Sequence, residues 1–423
     1  MEEIIKSLER YNFWGGNQQK TGFTRSFYLD KITKYINNSL IKVLVGQRRA
    51  GKSFILRQIA AYLIDNGVQP NNIFYLNKEF IAFDTVKNYQ DLDAVIQYYK
   101  NMLKPEGKIY LLIDEIQNIH QWEKIVNSYS QDFTEEYEIF ITGSNSNMLS
   151  GELSSMLSGR YVSFEIFPFS YQEYLLFHNL DRGKHSYIKY LEDGGLPELY
   201  VLPDKESKMH YVSSVKDTVL LRDIIQRYAI KEPKLLEDIF IYLANNASNL
   251  ISINNITNYF KHLGRRTTYD TVANYIGYIE EAYLIHKVYR YDIKGKDTIS
   301  GNVKFYINDM SYKNHLYKGF GYGLGYQLEN LIYLELRRQG YDVYVGSFLN
   351  KEIDFVAQKA DQKIYLQSAY IMDTEKTFDR EYSALEIIDD HYEKLVVSLD
   401  DVSFPIKQGI KHVQAWKLDL HFS

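Results

Sequence analysis

Apolar and polar residues follow two different rhythms along the chain. Over residues 1–168, short apolar runs alternate with segments whose apolar residues recur at helical spacing. Leu40–Val45, Ile73–Asn77, Ile109–Ile113 and Glu138–Ile141 read as buried strands, while Phe54–Leu63 and Leu92–Leu103 read as helices between them. This alternation predicts an α/β fold built on a doubly wound parallel sheet. A short helix over Met148–Leu157 and a strand over Tyr161–Phe167, stopped by Pro168, extend the series. An amphipathic helix over Asp30–Asn37 precedes the first strand. The lead-in Tyr11–Gly16 and Arg25–Leu29 reads equally as a surface arm or as a segment packed near a bound base.

From Ser170 the pattern turns helical. Tyr171–Phe177, Tyr187–Glu192 and the long stretch Ser207–Tyr228, broken by Gly194-Gly195-Leu196-Pro197, predict a helical lid over residues 169–230. Its Asp217, Arg222, Asp223 and Arg227 read as a solvated face. Lys234–Asn246, Ile253–Leu263 and Thr267–Ala282 are helical. Leu284–Asp292 and Val303–Asn308 are strand-like around the turn Lys294-Gly295-Lys296. Helices followed by a hairpin predict a winged helix over residues 231–310. Arg265, Arg266, Lys287, Arg290, Lys294 and Lys296 suit DNA phosphates, but the same module serves equally as a protein contact. The last unit, residues 320–423, has a helix at Gln327–Gln339. Strands follow at Asp342–Gly346, Glu352–Ala357, Lys363–Tyr370 and Lys394–Leu399, a second α/β arrangement.

Specific chemistry lies between the first strand and its helix. Gly46-Gln47-Arg48-Arg49-Ala50-Gly51-Lys52-Ser53 matches G-x-x-x-x-G-K-[ST], and Phe54 opens the helix behind it. Glycines at both ends let backbone N–H groups wrap a phosphate, and the helix N-terminus adds positive potential. Lys52 is placed to reach the β- and γ-phosphates and Ser53 to give its hydroxyl to Mg²⁺. A magnesium site needs an acid at the end of a neighbouring strand, and Ile109–Ile113 ends in Asp114-Glu115. Asp114 fits the metal side, and Glu115 fits a base orienting the attacking water. The strand Glu138–Ile141 runs into Thr142-Gly143-Ser144-Asn145, where Thr142, Ser144 or Asn145 are candidates to sense the γ-phosphate. A plain turn has the same composition.

Composition narrows the classes. A chain of 423 residues holds two or three domains. With 49 basic and 54 acidic side chains the net charge is −5, so no global field recruits nucleic acid and any contact must be local. The chain has no cysteine, which excludes disulfides, thiolate zinc sites and a cysteine nucleophile. Met1–Lys6 has no export-signal pattern, and no apolar run is long enough for a membrane span. A cytoplasmic protein without membrane contact is expected.

These motifs together resemble a known family. Gly46–Ser53, Asp114-Glu115-Ile116-Gln117, Thr142-Gly143-Ser144, Gly159-Arg160, Pro168-Phe169-Ser170 and Gly194-Gly195-Leu196-Pro197-Glu198 look like bacterial and archaeal ATPases of the AAA superfamily. The C-terminal domain of unknown function in those proteins is related to PD-(D/E)XK, restriction-endonuclease-like nucleases. The resemblance implies ATP rather than GTP. It also implies that Arg160 either completes a neighbouring subunit's site, making the protein a homo-oligomer, or caps a helix. In the C-terminal domain it implies a nuclease-type acid cluster of Glu329, Glu352 and Asp354. Where an acid-x-Lys triplet belongs, the chain reads Gln367-Ser368-Ala369, so the expected site is vestigial. Three functions follow as expectations: an ATPase coupled to a nucleic-acid transaction, a nucleotide-gated switch without DNA, or an ATP-dependent nuclease.

Overall fold

The computed structural model describes residues 2–149, 157, 159–317, 323–349 and 351–422. The chain divides into two units, residues 1–166 and 167–423.

In the first unit, β1 (Ile41–Val45), β2 (Ile73–Asn77), β3 (Ile109–Asp114), β4 (Tyr137–Gly143) and β5 (Tyr161–Glu165) form an all-parallel sheet in the order β2-β3-β4-β1-β5. β1, β2 and β3 are buried along their whole length, as strands covered on both faces must be, which is why they read as unbroken apolar runs. Leu44, Tyr75, Leu112 and Phe140 pack with Ile55, Ile59 and Leu63 of the helix Lys52–Asp65 on one face. β1 sits between β4 and β5, while the chain leaving it pairs next at the far edge. Its carboxyl end is therefore a switch point, where ligands bind in such sheets.

The lead-in protects an edge. Asn12 side-chain groups hydrogen-bond to both the N–H (2.6 Å) and the carbonyl (2.9 Å) of Tyr75, and the Trp14 indole donates to the Ile73 carbonyl at 2.7 Å. These bonds occupy the open side of β2. The amphipathic helix expected at 30–37 runs Ser26–Thr33. The helix expected over 148–157 lies for the most part outside the described residues.

In the second unit the helices Tyr171–His178, Lys184–Asp193 and Lys205–Thr218 come first, the last continuing as a wider π-helical segment, Val219–Gln226. Asp223, read from sequence as part of a solvated face, is buried, because the wider turn rotates it inward. Helices Pro233–Asn245, Ile253–His262 and Tyr269–Glu281 lead into β6 (Ile285–Asp292) and β7 (Asp297–Ile307). After the helix Leu324–Arg338 come β8 (Asp342–Phe348), β9 (Lys351–Lys359), β10 (Gln362–Ala369), β11 (Glu393–Ser398) and β12 (Ile410–Gln414). A single sheet, β12-β11-β10-β9-β8-β6-β7, contains all seven. It runs across the boundary expected between residues 310 and 320, since β6 pairs in parallel with β8 from Arg290↔Val345 to Asp292↔Ser347.

Gly194-Gly195 packs where β7 ends. Gly194 has φ +84°, and a Cβ there would stand 2.4 Å from Asp309 Oδ1. The Gly195 N–H donates to Asp309 Oδ2 at 2.7 Å and the Ser311 N–H to Oδ1 at 2.9 Å. Burial raises the Asp309 carboxyl to about 6. Among the described residues no helix is long and apolar enough to cross a membrane.

Candidate nucleotide site and C-terminal acid cluster

The glycine loop closes tightly at both ends. Gly46 has φ +138° with its missing Cβ only 2.3 Å from the Ile166 carbonyl oxygen, and Gly51 has φ +96°. The next residue, Lys52, begins a 14-residue helix with no side-chain cap from Gly51, so the positive end of the helix faces the loop. Lys52 Nζ, almost wholly buried, donates to the carbonyls of Gly46 (2.9 Å) and Gln47 (3.0 Å) and lies 3.9 Å from Glu115 Oε1.

The acid pair faces the same loop. Asp114 is inaccessible to solvent, and its carboxylate collects donors: Thr142 Oγ1 at 2.5 Å on Oδ1, Asn77 Nδ2 at 2.7 Å and Tyr75 OH at 3.0 Å on Oδ2, and the Ser53 hydroxyl. Burial, and then the neighbouring Glu115 charge, push the Asp114 carboxyl above its ordinary range, while the donors oppose that rise. Thr142 accepts from the Glu115 N–H at 2.9 Å, tying β4 to the start of the turn. Glu115 adopts a left-handed backbone, φ +56°, and Gln117 Nε2 donates to its Oε2 at 2.6 Å. Gln117 also reaches Ser144 Oγ at 3.3 Å.

Lys52, Ser53, Asp114, Glu115 and Ser144 thus come together at the carboxyl edge of the parallel sheet. Gln47 and Asn145 are buried near them and Ala50 is enclosed. Arg48 pairs with Glu79 at 2.5 Å, and Arg49 is exposed with φ +67°. The ring of Phe54 is over one-third exposed, packed on Gly22 and under the Arg57 guanidinium at 4.3 Å. Arg160 is not brought to this site. It is exposed, and its carbonyl accepts from the Ile41 N–H at the amino end of β1, about 16 Å of extended strand from Gly46.

Sequence reasoning missed Tyr75, Asn77, Gln117 and Arg25. Asn77 closes a buried apolar strand with a polar residue, which was a readable signal. Arg25 is buried, donates to the Ala50 carbonyl at 2.7 Å and stacks over Tyr28; nothing in its local sequence marks it.

The donor set suits Mg²⁺. Ser53 and Asp114 supply hard oxygens that already touch, and Tyr75, Asn77 and Thr142 orient the carboxylate. Among the described residues no group of three or more His, Cys, Asp or Glu side chains is arranged to hold a metal, so an ion here would draw its other ligands from phosphate and water.

In the second unit, Glu329, Glu352, Asp354 and Gln367 line an open cleft of about 820 Å³ together with Arg380 and Glu381. Ala369 is buried on β10, but a lysine arrives from another strand. Lys304 of β7 lies 2.8 Å from Glu329, 2.7 Å from Glu352 and 3.7 Å from Asp354, and is 4 % exposed. Burial opposes its charge, yet Glu329, Asp354 and Glu352 outweigh burial and hold the ammonium above its usual range. Glu329, also bonded by Tyr306 OH at 2.7 Å, is pushed up to about 8 by burial and then by Asp354. Burial raises Asp354 as well, and its Oδ2 accepts from the Ser368 N–H at 2.8 Å. The Gln367 carbonyl oxygen accepts from the Asp354 N–H at 3.3 Å. Lys304 was detectable as the one charge in the apolar run Val303–Ile307.

The basic residues around the three helices and hairpin are partly engaged. Arg265 pairs with Asp238 at 2.5 Å and Arg290 donates to Ser347 at 3.2 Å, whereas Arg266, Lys294 and Lys296 are exposed.

A family model described as an AAA domain matches residues 38–175, and one described as a domain of unknown function matches residues 184–322. An uncharacterized protein of Haemophilus influenzae is 37% identical over 383 residues, covering 90% of this chain and 94% of its own. The uncharacterized protein MJ1544 of Methanocaldococcus jannaschii is 31% identical over 383 residues, covering 86% and 81%. Among solved structures, the Walker-type ATPase PABY2304 of Pyrococcus abyssi aligns with TM-score 0.47 and 15% identity over 71% of this chain and 98% of its own. The Aeropyrum pernix ORC1 protein, solved in complex with DNA, aligns with TM-score 0.33 and 12% identity over 71% and 94%. The chain thus carries an AAA domain over residues 38–175, spanning the glycine loop and the acidic strand, and belongs to one family with the uncharacterized H. influenzae and M. jannaschii proteins.

Proposed function

We propose that this protein binds ATP with Mg²⁺, hydrolyses it, and couples its nucleotide state to a nucleic-acid transaction. The observation that carries the reading is the meeting of Lys52, Ser53, Asp114 and Glu115 at one sheet edge. In this reading the loop 46–53 cradles the phosphates and Lys52 exchanges its bonds to the Gly46 and Gln47 carbonyls for phosphate oxygens. Ser53 and Asp114 would hold Mg²⁺, which would supply positive charge against the phosphates. Glu115 orients the attacking water, and Ser144 and Asn145 register the γ-phosphate. Arg160, exposed and remote from its own chain's loop, is assigned to a neighbouring subunit's site in a homo-oligomer. Preference for adenine rests on the family.

The three helices with the β6–β7 hairpin are read as a winged helix, and the strands β8–β12 with the helix Leu324–Arg338 as a degenerate nuclease-like domain. Loss of nuclease catalysis is supported by Lys304, whose ammonium fills the point where the carboxylates converge, and by Gln367, whose oxygen is bonded to backbone.

ATPase assays on the full chain test the reading. Lys52→Ala should abolish nucleotide binding, and Glu115→Gln should bind ATP without turnover. A Glu115→Gln variant hydrolysing at the wild-type rate ends the assignment of the base. A second reading, a nucleotide-gated switch without DNA, is favoured by the internal pairing of Arg265 and Arg290. DNA affinity that falls steeply with salt supports the first reading, and no binding at low salt supports the second.

A further inference from the structure

The turn after β3 holds a residue to which neither the motif nor the family match assigns a role. Gln117 lies in the short helical turn Ile116–Asn118, and its amide faces inward. Its Nε2 donates to Glu115 Oε2 at 2.6 Å and approaches Ser144 Oγ at 3.3 Å. The orientation follows from chemistry, because only the NH₂ end of an amide can face a carboxylate. Its Oε1 is buried without a hydrogen-bond partner among the described residues and sits against Gly143, where an added Cβ would stand 2.8 Å away. A buried amide that leaves its own acceptor unsatisfied is held there by its donor bonds.

The two oxygens of Glu115 therefore have different surroundings. Oε2 is held by Gln117, and Oε1 lies 3.9 Å from Lys52 Nζ, toward the phosphate loop. Ser144 ends the segment that leaves β4 and is the residue read above as registering the γ-phosphate. A single side chain touches both groups.

We propose that Gln117 is a positioning residue for ATP hydrolysis: it holds Glu115 with Oε1 directed at the loop and links that orientation to Ser144. The inference rests on the reading of Glu115 as the water-orienting group. It assigns Gln117 no contact with nucleotide, so its loss should act on turnover and leave binding intact.

The test is steady-state ATPase kinetics and nucleotide binding on the full chain with Gln117→Ala, Gln117→Glu, Glu115→Gln and the double variant Gln117→Ala/Glu115→Gln. Gln117→Ala should lower kcat by about tenfold to a hundredfold with KM and nucleotide Kd within about twofold of wild type. Gln117→Glu keeps the shape but sets a second carboxylate against Glu115, and should lower kcat further. In the Glu115→Gln background, adding Gln117→Ala should change kcat no further, because the group it positions is already gone. Three results overturn the inference. If Gln117→Ala keeps the wild-type kcat while Glu115→Gln is inactive, the positioning role fails and the ATPase reading stands. If Gln117→Ala loses nucleotide affinity in parallel with kcat, the residue supports the loop's structure instead. If Glu115→Gln turns over normally, the base assignment and this inference fall together.

Discussion

Lys304 offers the sharpest test of the C-terminal cluster. Its ammonium is buried and stands 2.8 and 2.7 Å from the carboxylates of Glu329 and Glu352, with Asp354 at 3.7 Å. Lys304→Met keeps most of the side-chain volume and removes the charge. Stripping one partner from a buried ion pair costs about 3–5 kcal/mol, because the remaining charge is left uncompensated. At about 2–4 °C per kcal/mol for a unit of this size, the transition of residues 167–423 should fall by about 10 °C at pH 7. Base should deepen the deficit. Glu329 titrates near 8 in the fold against an ordinary 4.5, a raised value, so its contribution to stability is present below about 4.5 and lost as pH rises through about 8. Glu329 is therefore already mostly protonated at pH 7 and ionises toward pH 9, so the Lys304→Met deficit should be larger at pH 9 than at pH 7. The double variant Lys304→Met/Glu329→Gln should recover part of the loss at pH 9, where Glu329 is ionised. Thermal unfolding at pH 5, 7 and 9, with and without Mn²⁺, reads all of these outcomes. Restabilisation of Lys304→Met by Mn²⁺, with none for wild type, would show the ammonium standing where a divalent ion would otherwise bind. A Lys304→Met variant as stable as wild type at pH 7 refutes the counter-ion argument.

Asn77→Ala removes a 2.7 Å donor from Asp114 and leaves Tyr75 and Thr142 in place. The Mg²⁺ concentration giving half-maximal ATPase should rise about tenfold while nucleotide affinity without metal is unchanged, and an unmoved Mg²⁺ titration counts against the orienting role. Gly194→Ala places a Cβ 2.4 Å from Asp309 Oδ1 on a backbone with φ +84°. Denaturant unfolding should show a loss of about 2 kcal/mol or more, and a loss under about 0.5 kcal/mol would show that Asp309 moves aside without cost.

What the sequence made legible was local. Ile109–Ile113 followed by two acids, and Gly46–Ser53 between an apolar run and a helix, each needed only neighbouring residues, and the sheet then brought both to one edge. Pairings between distant positions were not legible in the same way. Asn12 meets Tyr75 63 positions later, and Arg25 meets Ala50 25 positions later, through groups whose local surroundings give no period to count. The hairpin shows the same limit, because periodicity announces a strand but not its neighbour. β6 reads as a partner of the helices before it, yet its last three residues, Arg290–Asp292, pair with β8.

Lys304 joins these two kinds of information. A nuclease-type lysine was sought at position 369 because motifs are written as spacings, whereas electrostatics acts on distance in space. Two acids buried side by side, Glu329 and Asp354, with Glu352 at the cleft's exposed edge, are eased by a nearby cation, so seeing Ala369 in the triplet left a charge to be balanced elsewhere. The buried strand carrying one lysine, Val303–Ile307, was where that cation had to come from. The same reasoning distinguishes the two sites of this chain. Asp114 and Glu115 are both buried, but the Asp114 carboxylate is satisfied by neutral donors, which leaves it available to an incoming metal and its phosphates, while the C-terminal acids lie against the Lys304 ammonium at 2.7–3.7 Å.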